Sequence, residues 1–138
     1  MILTFTATVA VSAYADPYEV PVIPPVCKTT TVAQIFHAQP LDPGEKEEPA
    51  YGGQEGFQRC GACASSITFS DGTGLVTPYR KSPNLEASRV GDTVTYCLIS
   101  RYIHCPKGDD RGKHYIVKNH RTGLGFEGSY GSHICGGA

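Results

Sequence analysis

The sequence predicts an all-β fold: a small disulfide-stapled antiparallel β-sandwich or β-barrel. Three observations predict it. Sixteen glycines and ten prolines in 138 residues leave little room for long helices. Short runs rich in Val, Ile, Thr, Tyr and Phe recur between turn signals, as strands do. Six cysteines in a chain with no tryptophan imply a modest core reinforced by covalent links, in an oxidising compartment.

The elements follow in chain order. Residues 1–15, "MILTFTATVAVSAYA", end in Ala13-Tyr14-Ala15 before Asp16. Small residues at those spacings match a secretory cleavage site, so the stretch reads as a signal-peptide remnant, although nothing basic precedes Lys28. The alternation of Leu3, Phe5, Ala7, Val9 and Val11 also fits an N-terminal edge strand. Residues 16–26 hold Pro17, Pro21, Pro24 and Pro25 and are expected to form an extended lead-in, since proline cannot donate to a ladder. Residues 27–138 are then one disulfide-bonded domain of six to eight strands.

Within that domain, Lys28–Ala38 is a strand, and "QPLDPGEKEEPAYGGQEG" is a long loop. "SSITFSDGTG" is a strand entering a turn at Asp71-Gly72. A short helical turn is expected near Asn84–Ser88. Gly91-Asp92 turns into the best strand, Thr93–His104. "KHYIVKNH" is another strand, "RTG" turns, and "LGFEGSYGSHIC" returns. No run is long and apolar enough to be a transmembrane segment.

Charge excludes some jobs. A net charge of −1 gives no bulk attraction to nucleic acid or an anionic membrane. The charge is unevenly spread, however. Residues 42–55 carry five acids against Lys46, a net −4, and residues 97–123 carry six bases against Asp109 and Asp110, a net +4. Arg101, Lys107, Arg111, Lys113, Lys118 and Arg121 are therefore the expected binding face.

The cysteines are Cys27, Cys60, Cys63, Cys97, Cys105 and Cys135. Cys60-Gly61-Ala62-Cys63 has redox-motif spacing, but the absence of a following helix favours two half-cystines with distant partners. No second CxxC or CxxH completes a zinc site, so neither metal nor cofactor is expected. Spacing alone leaves the pairing open.

Histidines carry the argument for an enzyme. Alternation along a strand places His114, Ile116, Lys118 and His120 on one face and Tyr115, Val117 and Asn119 on the other. With Glu127 and Arg121 across the hairpin, His114 and His120 would be the equipment of a ribonuclease: general acid, general base and phosphate clamp. His37, His104 and His133 stand singly. Tyr79-Arg80-Lys81 and Arg101-Tyr102 are aromatic-plus-basic pairs that a glycan- or cell-wall-binding module would use. GxSxG, P-loop and HExxH motifs are absent from the sequence.

In its general plan, with an apparent signal remnant, a Pro-rich lead-in and cysteines from Cys27 to Cys135, the chain resembles the small secreted cysteine-rich effectors and hypersensitive-response elicitors of plant-pathogenic fungi. The resemblance implies a secreted, extracellular protein whose partner is a host protein or cell-surface component. It implies action by binding and not by catalysis, with no cofactor. No residue role carries over from it. A ribonuclease acting on nucleic acid through His114 and His120, and a glycan-binding module, are the alternatives.

Overall fold

A computed structural model describes residues 16–37, 44, 48–49, 58–59, 64–77, 82–131 and 133–137. Six strands build the body: β1 (Tyr18–Phe36), β4 (Ser65–Phe69), β5 (Gly74–Thr77), β6 (Thr93–Ile103), β7 (His114–Asn119) and β8 (Gly125–Ser129). They pair antiparallel and close on themselves as a barrel in the order β1-β4-β5-β8-β7-β6. Two-residue strands β2 (Glu48–Pro49) and β3 (Gln58–Arg59) form a separate ladder, and α1 (Pro83–Glu86) is a single helical turn. The all-β, disulfide-bonded class expected from the sequence is the observed one. The signal-like residues 1–15, the cysteines Cys60 and Cys63, most of the acidic segment, and Tyr79–Lys81 lie outside the described residues.

The Pro-rich stretch is not a lead-in to the fold but the first half of β1. Tyr18–Pro21 pair with Ser100–Ile103 of β6, pairing breaks between Pro21 and Val26, and Val26–Thr31 resume it with Thr93–Leu98. The break falls where Pro24 and Pro25 withhold their N–H groups, and Ile23-Pro24 is a cis peptide. Among the described residues this half of β1 is bonded along one side only, which is where a sheet tolerates proline. From Val32 onward β1 turns to β4, pairing Val32–Phe36 with Ser66–Phe69.

Each hairpin has a local chemical cause. Between β4 and β5, Gly72 adopts φ +90° and Asp71 Oδ1 accepts from Thr73 N at 2.9 Å, closing the expected Asp-Gly turn. The helical turn begins one residue earlier than expected. Ser82 caps it by accepting from Leu85 N at 3.4 Å, and Pro83 opens it with a preset φ. The turn places Leu85 in the core against β4 and β8.

Inward positions alternate as the strands dictate. Val32, Ile67, Phe69, Leu75, Leu85, Val94, Tyr96, Val117 and Phe126 form one buried cluster. Full burial of such side chains contributes about 1.5–3 kcal/mol each. Phe69 and Tyr96 stack with centroids 4.9 Å apart, and Tyr115 tilts onto Tyr96 at 5.7 Å. The Tyr96 hydroxyl donates to Asp71 Oδ2, so the polar atom of this buried tyrosine is satisfied.

One end of the barrel is closed by a polar network. Asn119, with no exposed surface, donates to Ser88 Oγ at 3.0 Å and to Asp92 Oδ2 at 2.8 Å. Its carbonyl oxygen accepts from Arg121 N at 2.9 Å. Arg121 Nε donates to Asp92 Oδ1 at 2.7 Å, and its Nη2 donates to Ala87 O at 2.7 Å. The Arg121 guanidinium, joined by Asn119, holds the buried Asp92 carboxyl well below the usual carboxylate range.

Two results are expected from this fold. A lowered native pKa means that the Asp92 contribution is present above the unfolded-state value of about 3.9 and is lost as pH falls. Thermal unfolding of Asp92→Asn should therefore show lower stability at neutral pH and a flatter loss below about pH 4 than the parent. Gly128 is required by packing, because a Cβ there would lie 3.1 Å from Leu75 Cβ and 3.5 Å from Val76 O. Gly128→Ala should cost about 1–3 kcal/mol in urea denaturation.

Candidate functional site

Strand alternation in β7 is as read from the sequence: His114, Ile116 and Lys118 are exposed, while Val117 and Asn119 are buried and Tyr115 is half-buried. The same alternation separates the two histidines. Six residues at about 3.3 Å each put His114 and His120 roughly 20 Å apart, too far to serve one phosphodiester.

Each histidine has its own local partners. His114 Nδ1 lies 3.2 Å from Glu19 Oε1, to which Ser100 Oγ also donates at 2.5 Å. These two hydrogen bonds, Ser100's the stronger influence, keep the Glu19 carboxyl below its ordinary range. At the far end, His120 Nε2 lies 2.8 Å from Thr95 Oγ1, which is 3.0 Å from Thr29 Oγ1. Glu127 pairs with Ile116, two residues from His114 and four from His120, and Arg121 is directed onto Asp92. The quartet His114, His120, Glu127 and Arg121 is thus not brought together as a catalytic site.

The basic segment also divides. Arg111 makes a two-pronged pair with Asp109 at 2.8 and 2.9 Å, and Lys113 lies 3.2 Å from Asp110. Arg121 is committed to Asp92. Arg101 follows Ser100, which stands directly opposite outward-facing His114, so Arg101 points to the other face of the sheet. For the same reason Arg101 and Tyr102 do not share a surface. Lys107 sits in the loop after Cys105, apart from β7. Of the six expected residues, Lys118 alone presents its charge on the outer face of β7, and no carboxylate among the described residues pairs with it. Sequence position had grouped charges that hydrogen bonding and strand alternation separate.

The remaining histidines are single. His37 lies 3.6 Å from Glu86, and His104 packs near Tyr18 at 5.4 Å while holding φ +62° beside Cys105. His133 is exposed. Among the described residues, no three His, Cys, Asp or Glu side chains group in a way that could hold a metal ion. None of the helices described is long and apolar enough to cross a membrane.

A continuous feature does occupy the outer face of β6, β7 and β8. A shallow, mostly apolar groove of about 430 Å³ runs past Cys97, Ile116, Lys118, His120 and Gly125. Ile116 is 44% exposed, a large apolar side chain left in solvent beside an ammonium that pairs with no described carboxylate. Directly opposite Ile116 on β6, Cys97 bonds to Cys27, its ladder partner on β1. The alternation already read from the sequence contained Ile116, Lys118 and His120. The contribution of β6 and of the glycines depends on register, which the sequence does not display.

The second disulfide, Cys105–Cys135, secures the C-terminal end, helped by Asp109 Oδ2 accepting from Gly136 N at 3.0 Å. The Arg111 guanidinium, together with this backbone donor, holds Asp109 well below the usual carboxylate range.

No family model matches the chain, and no curated protein or solved structure is significantly similar to it.

The two described disulfides differ in accessibility: Cys27 is exposed, whereas Cys135 is 1% exposed. Thiol exchange requires access to a sulfur. Under mild reductant followed by alkylation and mass spectrometry, Cys27 and Cys97 are expected to be labelled before Cys105 and Cys135.

Proposed function

We propose that this chain is a secreted binding domain that acts on a plant host as an effector or elicitor, engaging a host component through the outer face of β6, β7 and β8. The observation that carries the binding reading is the pairing of unneutralised Lys118 with half-exposed Ile116 on a rigid, disulfide-braced sheet. Apolar area beside a single oriented charge is the composition of a recognition surface. The separation of His114 from His120 argues against the ribonuclease alternative. Disulfide bonding of Cys27, Cys97, Cys105 and Cys135 supports an oxidising, extracellular setting. The plant-host part rests on the likeness to cysteine-rich fungal elicitors in size, cysteine content and all-β plan.

The test is leaf infiltration of purified, oxidised protein with cell death as the readout. Lys118→Glu should raise the dose needed by about tenfold or more, the loss of roughly one charge-assisted contact. His114→Ala should leave the dose within about twofold, and prior reduction should abolish the response, since each disulfide contributes about 2–4 kcal/mol. RNA turnover that disappears in His120→Ala, or a full response from a folded Lys118→Glu protein, would sink this reading.

A further inference from the structure

Gly125 stands directly opposite Lys118 in the β7–β8 ladder, on the outer face. Nothing local requires glycine there. Its φ lies outside the left-handed region, and a Cβ would meet nothing closer than the Val117 carbonyl oxygen at 3.5 Å, an ordinary contact. Gly125 opens β8, where a residue with a side chain would fit the extended backbone, so glycine there brings no packing return. Gly128, three residues on, is the contrast, because the approach of Leu75 demands it. What the missing side chain at position 125 does achieve is to leave the groove open beside the Lys118 ammonium.

We propose that this groove binds an aromatic carboxylate, its ring lying flat on the sheet and its anionic group at Lys118. The inference rests on the reading of this face as the working surface, and it names the ligand chemistry.

Three features of the groove specify that chemistry. The polar groups gather at one end, where Lys118 offers an ammonium paired with no carboxylate among the described residues, and Thr95 and His120 lie 2.8 Å apart beside it. That end accommodates one anionic group. Arg121 adds no second cation there, being held by Asp92, and Glu127 lies two ladder pairs away, opposite Ile116. The rest of the lining is apolar, and the open groove of about 430 Å³ has room for a planar body lying against the sheet. The floor contains Ile116 and Cys97 of the Cys27–Cys97 disulfide, and sulfur packs favourably against aromatic rings. An open sheet face with glycine along one side takes a planar body better than a branched one.

The experiment titrates 1-naphthoate into ¹⁵N-labelled, oxidised protein and follows amide shifts. Cyclohexanecarboxylate and 1-naphthylmethylammonium serve as comparison probes. Saturable shifts are expected at residues 95–97, 116–118 and 123–125, with both comparison probes weaker by about tenfold or more. Lys118→Gln should weaken naphthoate by about tenfold. Gly125→Val should abolish binding while its unfolding temperature equals or exceeds the parent's, and Gly125→Ala should fall between the two. Non-saturating shifts, equal binding of the ammonium probe, or undiminished binding by Gly125→Val would each overturn the proposal.

The leaf response separates this inference from the reading beneath it. If Gly125→Val loses the response although naphthoate never binds, the ligand class falls and the working face stands. If naphthoate binds the parent but Gly125→Val keeps the full response, the ligand site stands and its role in the response falls.

Discussion

β1 hydrogen-bonds to β6 as far as Thr31 and to β4 from Val32 onward, and at that crossing Val32 N donates to Asp92 O at 2.9 Å while Gly91 N donates to Val32 O at 2.8 Å. This change of partner makes a closed barrel of what would otherwise be an open sheet with two edges. The closing strand must be long enough to serve two neighbours, and at 19 residues it is. The crossing also explains the position of the polar network. Asp92 supplies its backbone oxygen to β1 and its carboxylate to Arg121 and Asn119, so one residue ties the closing strand to the β7–β8 turn.

Because that turn is held from within, the outer surface of β7 is a rigid presentation of Ile116 and Lys118. Arg121 illustrates the division of labour. Its neighbours in sequence suggest a solvent cation, yet its guanidinium spans from Asp92 to the α1 C-terminus at Ala87. Structural duty removes it from the recognition surface and leaves Lys118 as the sole cation of the groove among the described residues. The segment's formal charge of +4 is thereby a poor guide to the field that a ligand meets.

The elements of the fold were largely legible in the sequence. Thr93–His104 and "KHYIVKNH" were read within one residue of β6 and β7 at each end, because β-branched residues, period-two alternation and Gly-Asp or Arg-Thr-Gly turns agree there. The reach of β1 back through the prolines was not legible, since proline argues locally against a ladder and only the one-sided pairing of that half accommodates it. Asn119 carried a readable signal: a polar residue at a buried parity must find partners. Identifying those partners as Ser88 and Asp92 required the tertiary arrangement. The histidine pair failed as a site for a reason already present in strand geometry, since sharing a face does not bring residues six apart together.

The described disulfides join Cys27 to Cys97 and Cys105 to Cys135, so their covalent loops follow one another along the chain without overlapping. Such an arrangement suits delivery of a polypeptide end-first into an oxidising space. The earlier crosslink needs only β1 and β6 to meet, and its cysteines have both been delivered before the later pair arrives. The second crosslink then sews down the tail against the 105–113 loop without threading through the first. Among the described cysteines, the first pair is complete in the chain before the second, so its bond can close without waiting for it.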